Sequence, residues 1–260
     1  MSGIPAATEI ASRDNALFKD LRRLAQDNTG YRRQGRIWLE GDHLCRAALA
    51  RGIVPVMSVF AAAHWPEAQA GEFAAAAGRN VVIADPLWSQ LSGLESPAPM
   101  AFVLELPASP EVTPGAPAVV LDRLQDAGNV GSVLRSAAAF GFTQVIALKG
   151  TAALWSPKVL RAGMGAHFAM QLIEGAAPEA LDTLALPLLA TSSHRGEWLH
   201  RAALPWPCAW AFGHEGQGIG AELEARATAC VRIAQPGGEE SLNVAAAAAV
   251  CLHASVTGHL

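Results

Sequence analysis

The sequence of this 260-residue chain predicts an α/β protein with two domains, the second built on a parallel sheet. Apolar stretches with the length of buried strands alternate with stretches of helical spacing, which favours a sheet covered by helices. A break in composition divides the chain, because four prolines fall between residues 107 and 117, and neither helices nor central strands tolerate them. We therefore predict an N-terminal domain over residues 1–107, a linker over 108–117 and a C-terminal domain over 118–260.

The composition is that of a globular protein. Hydrophobic residues make up 51% of the chain, charged residues make up 16%, and the formal net charge is −4, which argues against disorder and against a surface that is basic throughout. The four cysteines stand far apart without a C-x-x-C pair, as expected of reduced, mostly buried thiols. There is no signal-peptide pattern and no apolar run of about 18 residues. We therefore expect a cytoplasmic protein that does not enter a membrane.

The N-terminal domain is predicted as a small α/β domain in which strands and helices alternate. Its first helix lies in "SRDNALFKDLRRLAQD", where Leu17, Leu21 and Leu24 have helical spacing. The expected elements that follow are a strand in "RIWLE", a helix in "HLCRAALARG", a strand in "VPVMSVF", an Ala-rich helix near Pro66 to Ala77, a strand in "NVVIA", a short helix after Asp85 and a strand in "MAFVLEL".

A basic stripe runs through the first part of this domain. Seven Lys or Arg lie between Arg13 and Arg36, against three Asp. A solvated helix face and a surface for an anionic partner both agree with this pattern. The candidates for contact with such a partner are Arg13, Lys19, Arg22, Arg23, Arg32 and Arg33.

The C-terminal domain contains fuller strands. The segments "AVVLD", "QVIALK", "LPLLATS", "CAWAFG" and "CVRIAQ" are nearly continuous apolar runs separated by helical stretches, which indicates a parallel sheet covered on both faces. Ligands of such sheets bind beyond the carboxyl ends of the strands. Three segments that follow strands also carry unusual polar residues, and these are the candidates for the site.

The first of these segments is "LDRLQDAGNVGSVLRSAAAFGF", residues 121–142. It is neither a P-loop nor a G-x-G-x-x-G fingerprint. Asn129 is placed to cap the following helix, and it could do nothing more than that. Arg135 lies among Val, Leu and Ala of the same helix, so its guanidinium needs an anionic partner or a route to water.

The second segment is "AFGHEGQGIG", residues 211–220, whose glycines would let the backbone approach a ligand closely. His214 and Glu215 resemble the start of a zinc motif, but Gly218 stands where H-E-x-x-H requires histidine. We therefore expect no metal. Glu215 could alternatively cap a helix that begins near Ile219.

The third segment is "IAQPGGEESLNVAAAAAVCLHA", residues 233–254. A glycine pair bends the chain, and Ser241 and Asn243 then open a long helix of small residues. Glu239 and Glu240 would lie favourably near the positive end of this helix. An ordinary capped helix would explain the segment equally well if it stood alone.

Together, the patterns N-x-G-x-x-x-R, G-x-E-G-x-G and I-x-x-P-G-G-x-x-S-L-N-V in the three segments resemble the SpoU/TrmH family of RNA ribose methyltransferases, within the SPOUT superfamily. The resemblance covers residues 118–260. The N-terminal part, with "SRDNALFKDLRRL", "GRIWLEGDHLCRAAL" and "SPAPMAFVLEL", is similar to the substrate-binding domain of the family members that act on ribosomal RNA.

The resemblance implies a fold, a cofactor and partners. The sheet of the C-terminal domain would end in a trefoil knot, an exception to the rule that chains do not knot. S-adenosylmethionine would lie in this knot, held at Gly213, Ile233 and Leu242, with Thr191 as a looser candidate. The protein would act on structured RNA as a homodimer in which the neighbouring subunit completes each site, and the six basic residues named above would contact the RNA.

The resemblance also implies catalytic roles. Arg135 matches the catalytic arginine of the family. We interpret it as a clamp on phosphate and on the forming alkoxide, because a guanidinium keeps its proton at neutral pH, although a role as base stays open. Asn129 would position Arg135 or the ribose, Glu215 would aim a guanidinium or the substrate, and Ser241 and Asn243 would line the site near the methyl group.

The substrate and the activity leave alternatives open. Ribosomal RNA is favoured over transfer RNA because of the N-terminal domain, and the sequence does not distinguish a housekeeping role from an antibiotic-resistance role. A catalytically silent RNA-binding or ribosome-assembly factor could retain the same fold. An oxidoreductase that uses a dinucleotide is disfavoured, because the sequence lacks the glycine fingerprint and the acidic residue about 20 positions further on.

Overall fold

A computed structural model of the chain forms two compact units. The residues that it describes are 5–69, 71–192, 195–238 and 241–259. The N-terminal unit contains the chain up to residue 108 and also residues 155–168, and the C-terminal unit contains residues 109–154 and 169–260. The segment 155–168, which the sequence places in the second predicted domain, thus packs in the N-terminal unit.

The N-terminal unit is built on a five-stranded mixed sheet with the order β1-β4-β3-β5-β2. Strands β1, β4 and β3 run parallel, and β5 is antiparallel to both β3 and β2. The elements are β1 (Ala7–Ile10), α1 (Ala16–Gln26), α2 (Gly30–Gln34), β2 (Arg36–Glu40), α3 (Asp42–Leu49), β3 (Met57–Ala61), a 3₁₀ turn (Ala62–His64), α4 (Trp65–Ala68), α5 (Glu72–Ala76), β4 (Asn80–Ile83), α6 (Asp85–Leu91) and β5 (Met100–Glu105).

Most of the predicted elements of this unit are confirmed. Helix α1 begins after Asn15, whose side chain accepts hydrogen bonds from the backbone N–H groups of Leu17 and Phe18. One prediction is wrong, and one strand was not predicted. The expected helix from Pro66 to Ala77 is split into α4 and α5, because the backbone is extended at Gly71, and strand β1 was not predicted, because only one of its four residues is buried.

The C-terminal unit is built on a seven-stranded sheet, parallel throughout, with the order β10-β12-β9-β11-β6-β7-β8. The elements that follow β5 along the chain are β6 (Ala118–Asp122), α7 (Ala127–Ala139), β7 (Gln144–Leu148), α8 (Pro157–Gly163, in the N-terminal unit), a 3₁₀ turn (Ala166–Ala169), β8 (Gln171–Ala176), a 3₁₀ turn (Pro178–Thr183), β9 (Leu188–Thr191), β10 (Glu197–Trp198), β11 (Ala209–Gly213), α9 (Ala221–Arg226), β12 (Ala229–Arg232) and α10 (Val244–Thr257).

The parallel sheet and its five predicted strands are confirmed. Strands β6, β7 and β11 are buried at every position, as expected of central strands covered on both faces. Strands β8 and β10 were not predicted, since only two of the six residues of β8 are buried and β10 has only two residues, neither of them buried. Within the described parts of the chain, no helix has the length and apolar character needed to span a bilayer.

All four cysteines have free thiols, as the sequence predicts, and three of them are buried. Burial raises the pKa of Cys208 to about 11 and that of Cys251 to about 12. It also raises the pKa of Cys45. These thiols remain protonated at neutral pH, which suits a packing role rather than a chemical one.

Candidate active site

A cavity of about 260 Å³ lies at the carboxyl edge of the parallel sheet. Strands β9, β11 and β12 end there, since parallel strands bring their carboxyl ends to the same edge. The residues that line it are Thr191, Ser192, Gly213, His214, Glu215, Gly218, Ile219, Val231, Ile233, Gln235, Ser241, Leu242, Asn243, Val244 and Ala247. All four predicted cofactor positions, and three of the five predicted catalytic residues, are in this lining.

A hydrogen-bond network joins the three predicted segments beside this cavity. The Asn129 side chain donates from Nδ2 to Glu215 Oε1 at 3.3 Å, and its Oδ1 accepts from Asn243 Nδ2 at 3.0 Å. The three residues lie 86 and 114 positions apart along the chain. Glu215 and Asn243 are exposed and Asn129 is half-buried, so the remaining donor and acceptor atoms of Glu215 and Asn243 are open to a ligand.

The Glu215 carboxylate is held by backbone groups as well as by Asn129. It accepts from the N–H groups of Gln125 at 3.5 Å and Asp126 at 3.3 Å. Partial burial raises the pKa of Glu215, but the hydrogen bonds from its own N–H, from Asn129 and from these two backbone groups outweigh it, so the pKa lies below the ordinary value. Glu215 does not cap a helix, because α9 begins after Gly220.

The helix caps explain why the two asparagines behave differently. The prediction that Asn129 caps α7 is wrong: the cap is Asp126, whose Oδ1 accepts from the Asn129 N–H at 2.7 Å. Asn129 therefore lies in the first turn, and its side chain is free to join the network. The prediction that Asn243 opens α10 is confirmed, since its Oδ1 accepts from the N–H groups of Ala245 and Ala246.

Two more predicted positions lie in the third segment. Ser241 is exposed and lines the cavity. Glu239 and Glu240, predicted near the positive end of α10, lie outside the described residues.

Two predicted catalytic residues do not line this cavity: Asn129, which is hydrogen-bonded to residues that do, and Arg135. Arg135 is exposed on α7 and borders a second cavity of about 380 Å³ together with Ser132, Ser136, Ala139, Phe140 and Ala249. It forms no ion pair with any residue that the structure describes. The guanidinium thus has the route to water that its apolar helix requires. Within one chain, however, the structure does not bring it together with Glu215 and Asn243.

The six basic candidates of the N-terminal unit are all exposed. Three of them already have carboxylate partners: Lys19 pairs with Asp14, Arg23 with Asp20, and Arg33 with Asp27. Hydrogen bonds, the largest from the Thr29 backbone, and the Arg33 charge lower the pKa of Asp27.

The other three basic candidates differ in their surroundings. The Arg22 guanidinium lies 6.0 Å from the centroid of the Phe18 ring, and Arg32 lies over Tyr31. Arg13 and Arg22 form no ion pair among the described residues. The basic stripe is therefore partly neutralised by its own carboxylates, and Arg13 and Arg22 are its freest cations.

Sequence reasoning missed Asp122, the last residue of β6, and Arg123, which follows it; both lie at the start of the first segment. The Asp122 carboxylate is buried and pairs with the Arg123 guanidinium at 2.9 Å. An acidic residue followed by a basic one at a strand end is a weak signal, because adjacent opposite charges are common on protein surfaces.

A parallel sheet with an amide and carboxylate network beside a cavity at its carboxyl edge defines an α/β protein that binds an organic ligand at that edge. The particular family follows from the sequence, which matches the SpoU rRNA methylase family over residues 116–253. The chain belongs to this family.

Similar proteins match along nearly the whole chain. A protein of Synechocystis described as an uncharacterized tRNA/rRNA methyltransferase is 32% identical over 253 residues, which cover 94% of this chain and 92% of that protein. A 23S rRNA (guanosine-2′-O)-methyltransferase of Bacillus subtilis is 27% identical, with 94% and 98% covered. A solved structure of an AdoMet-bound rRNA methyltransferase from Sinorhizobium meliloti superposes with a TM-score of 0.84 at 26% identity and covers 98% of this chain and 99% of that one.

Proposed function

We propose that this protein transfers a methyl group from S-adenosylmethionine to a ribose 2′-hydroxyl of structured RNA, with ribosomal RNA as the substrate. The observation that carries the proposal is the network of Asn129, Glu215 and Asn243, which joins the three family segments at one cavity. The described activity of the Bacillus subtilis relative supports it. A ribosomal RNA substrate would place the protein in the cytoplasm.

The cavity suits S-adenosylmethionine in its chemistry. Apolar side chains form part of its lining, and Leu242 among them is 41% exposed, so that a flat ring such as adenine could cover it. Polar groups of Thr191 and Ser241 and the backbone at Gly213 and Ile233 are the donors and acceptors for the rest of the molecule. When bound, this cofactor would supply an electrophilic methyl group on a sulfonium.

The task of the protein is to orient a weak nucleophile. A ribose hydroxyl is a weak acid, and holding it in line with the methyl group is a large part of the rate acceleration. Glu215 is ionised at neutral pH, because its pKa is lowered, and it can accept a hydrogen bond from substrate. The Asn129 amide donates to it and is itself held by the Asn243 amide, and Ser241 adds a hydroxyl nearby.

We assign Arg135 to the site of a neighbouring subunit in a homodimer. Glu215 is the only formally charged residue at neutral pH among the described residues that line the cavity, and neither Lys nor Arg is among them. Arg135 stands exposed on α7, beside Ala249 of α10. A guanidinium stays cationic at neutral pH, so the partner subunit's Arg135 could clamp a phosphate and stabilise the forming alkoxide. We also propose that the sheet of the C-terminal unit ends in the trefoil knot that the family resemblance implies.

Calorimetric titration tests the cofactor assignment. We expect S-adenosylmethionine to bind with one site per chain and NAD to give no heat of binding. Binding of NAD alone would contradict the proposal. Mapping ribose methylations in RNA from cells with and without the gene tests the substrate. Loss of one modified nucleotide in ribosomal RNA is expected, whereas loss in transfer RNA, or no loss in any RNA, would refute the ribosomal assignment.

Mixed dimers test the assignment of Arg135. Arg135→Ala and Asn243→Ala proteins should each be inactive. When the two are mixed and allowed to exchange subunits, about one quarter of the wild-type activity should return, because half of random dimers carry one intact site. If Arg135 serves its own subunit, the mixture stays inactive.

A further inference from the structure

Asp122, the last residue of β6, and Arg123, which follows it, form a tight charged contact with the second segment. Asp122 is 5% exposed. Its Oδ1 accepts from Arg123 Nε at 2.9 Å, and its Oδ2 accepts from Arg123 Nη2 at 3.1 Å and from the Gly220 N–H at 2.7 Å. Paired bonds between a guanidinium and a carboxylate fix geometry as well as charge. The carboxylate therefore binds a residue 98 positions away in the chain.

Arg123 holds an uncommon backbone conformation to make this contact. Its φ is 60°, in the left-handed region that residues with a Cβ rarely adopt. The Arg123 N–H donates to Thr151 Oγ1 at 3.1 Å, and this hydroxyl donates to the Leu121 carbonyl at 2.9 Å. The side chain crosses Gly150 so closely that a Cβ there would lie 3.1 Å from Arg123 Cγ. Such a conformation persists where the surroundings fix it, and these are often functional sites.

The guanidinium also covers the end of the second segment. Arg123 Nη1 donates to Gln217 Oε1 at 3.2 Å. A Cβ on Gly220 would lie 3.2 Å from Arg123 Nη2 and 3.3 Å from Asp122 Oδ2. Glycine therefore lets the backbone come close enough to donate its N–H to the carboxylate.

The segment held in this way forms one wall of the cavity. Within residues 213–220, the Gly218 N–H donates to the His214 carbonyl at 2.7 Å, which folds the segment back on itself. This internal turn fixes the local shape of the segment. The contact with Asp122 and Arg123 fixes its far end to the edge of the sheet.

We propose that Asp122 and Arg123 are positioning residues that hold residues 213–220 in the shape that binds the cofactor. The inference rests on the proposed function, because it takes S-adenosylmethionine as the ligand that residues 213–220 contact in the cavity. Asp122 is not a free base, since three donors already occupy its buried carboxylate. Its effect reaches the ligand through Gly220 and the segment before it.

Two variants separate the contact from the backbone conformation. Asp122→Asn keeps the size of the side chain but replaces one acceptor oxygen by an NH₂ group. Arg123→Asn keeps a residue that tolerates the left-handed region but removes the guanidinium. Asp182→Asn is the matched control, because it breaks another Asp–Arg pair of the same unit, with Arg226, and does not line the cavity.

Hydrogen exchange without ligand is the first measurement. In both variants we expect amide exchange across residues 213–220 to be about tenfold faster, as for the loss of one hydrogen bond to a charged group. Exchange in β7 and β9 should stay at the wild-type rate, which would show that the sheet remains folded. The control should match wild type throughout.

Calorimetry and kinetics are the second measurement. We expect the Kd for S-adenosylmethionine to rise about tenfold in both variants, while kcat at saturating cofactor and KM for RNA stay within about threefold of wild type. Wild-type exchange with an unchanged Kd would overturn the inference. So would a variant whose kcat falls while Kd is unchanged. If the wild-type protein binds no S-adenosylmethionine, the proposed function fails instead, and the exchange result still decides whether the contact holds the segment.

Discussion

The two units of this protein arrange their polar residues in different ways. In the C-terminal unit, Asn129, Glu215 and Asn243 come from segments far apart in the sequence and meet at one cavity. In the N-terminal unit, Lys19, Arg23 and Arg33 are exposed on short helices, each beside a carboxylate from its own neighbourhood in the chain.

Sheet topology accounts for this difference. Every strand of the C-terminal sheet is parallel to its neighbours, so the loops after the strands begin at one edge and their side chains converge. The N-terminal sheet is mixed, and its loops leave from both edges. We call Asn129, Glu215 and Asn243 the converged cluster, and the exposed basic residues of the N-terminal unit the dispersed cations. The comparison predicts that substitutions in the converged cluster change the chemical step. Substitutions of the dispersed cations should instead change RNA affinity in small steps.

The largest effect is expected for Arg135→Ala. This variant tests whether a residue that lies outside the cavity of its own chain acts together with the converged cluster. Loss of a cation that stabilises developing charge should lower kcat by about 10²–10³, or about 2.7–4 kcal/mol. The Kd for S-adenosylmethionine should stay within about twofold. Arg201→Ala, another exposed arginine of this unit that lines neither cavity, should behave as wild type. An equal loss of cofactor affinity and turnover would refute the role.

The next effect is that of Asn129, which links the other two members of the cluster. Asn129→Ala should lower kcat about 10-fold to 100-fold, since Glu215 and Asn243 lose their common partner. Asn129→Asp should be worse, because it places a second carboxylate against Glu215 and raises the pKa of both. Steady-state kinetics at neutral pH measure kcat for both variants and show which of them is the less active. Equal activity of the two variants would show that the charge at this position does not matter.

A smaller effect is expected for the dispersed cations. Arg13→Ala and Arg22→Ala should each raise KM for RNA about two- to fivefold and reduce the slope of log affinity against log salt by about one, with kcat unchanged. Lys19→Ala and Arg23→Ala are the controls, since these cations already pair with carboxylates, and their effects should be smaller. A loss of kcat in the Arg13 or Arg22 variant would place these residues in the chemistry and remove the contrast between the units.

The smallest effect concerns pH. The folded-state pKa of Glu215 lies below its ordinary value of 4.5, so its hydrogen bonds stabilise the fold above that value, and the stabilisation is lost as the pH falls through the folded-state pKa. The difference in unfolding free energy between wild type and Glu215→Gln should therefore shrink below pH 4.5. It should amount to roughly a few tenths of a kcal/mol, because the group is exposed. Denaturant titrations at several pH values measure it, and a difference that grows on acidification would contradict the assignment.

The sequence predicts the parts of this protein that depend on local pattern. The apolar runs of β6, β7 and β11 predict the central strands of the sheet. The second and third segments predict most of the lining of the cavity, because each follows a strand, and the first segment joins them through Asn129. The network between Asn129, Glu215 and Asn243 agrees with that prediction, although no spacing rule gives its hydrogen bonds.

The parts that the sequence does not predict depend on which of two suitable residues takes one position, or on contacts between residues far apart in the chain. Asn129 and Asp126 are both good helix caps, and only the structure shows that Asp126 takes this place. The bond from Gly220 to Asp122 joins residues 98 positions apart, so no local pattern reveals it. The exposure of Arg135 depends on which face of α7 packs against the sheet, which the mixture of Val, Leu and Ala in that helix leaves open.

The central claim is that the converged cluster methylates a ribose. The most direct measurement combines purified protein, isotopically labelled S-adenosylmethionine and a ribosomal RNA transcript, followed by digestion to nucleosides and mass spectrometry. We predict a single labelled nucleoside whose added methyl group is on the ribose, and labelling about 10²–10³ times slower with the Arg135→Ala protein. A label on the base, or an unlabelled transcript in the presence of protein that binds the cofactor, would contradict the account.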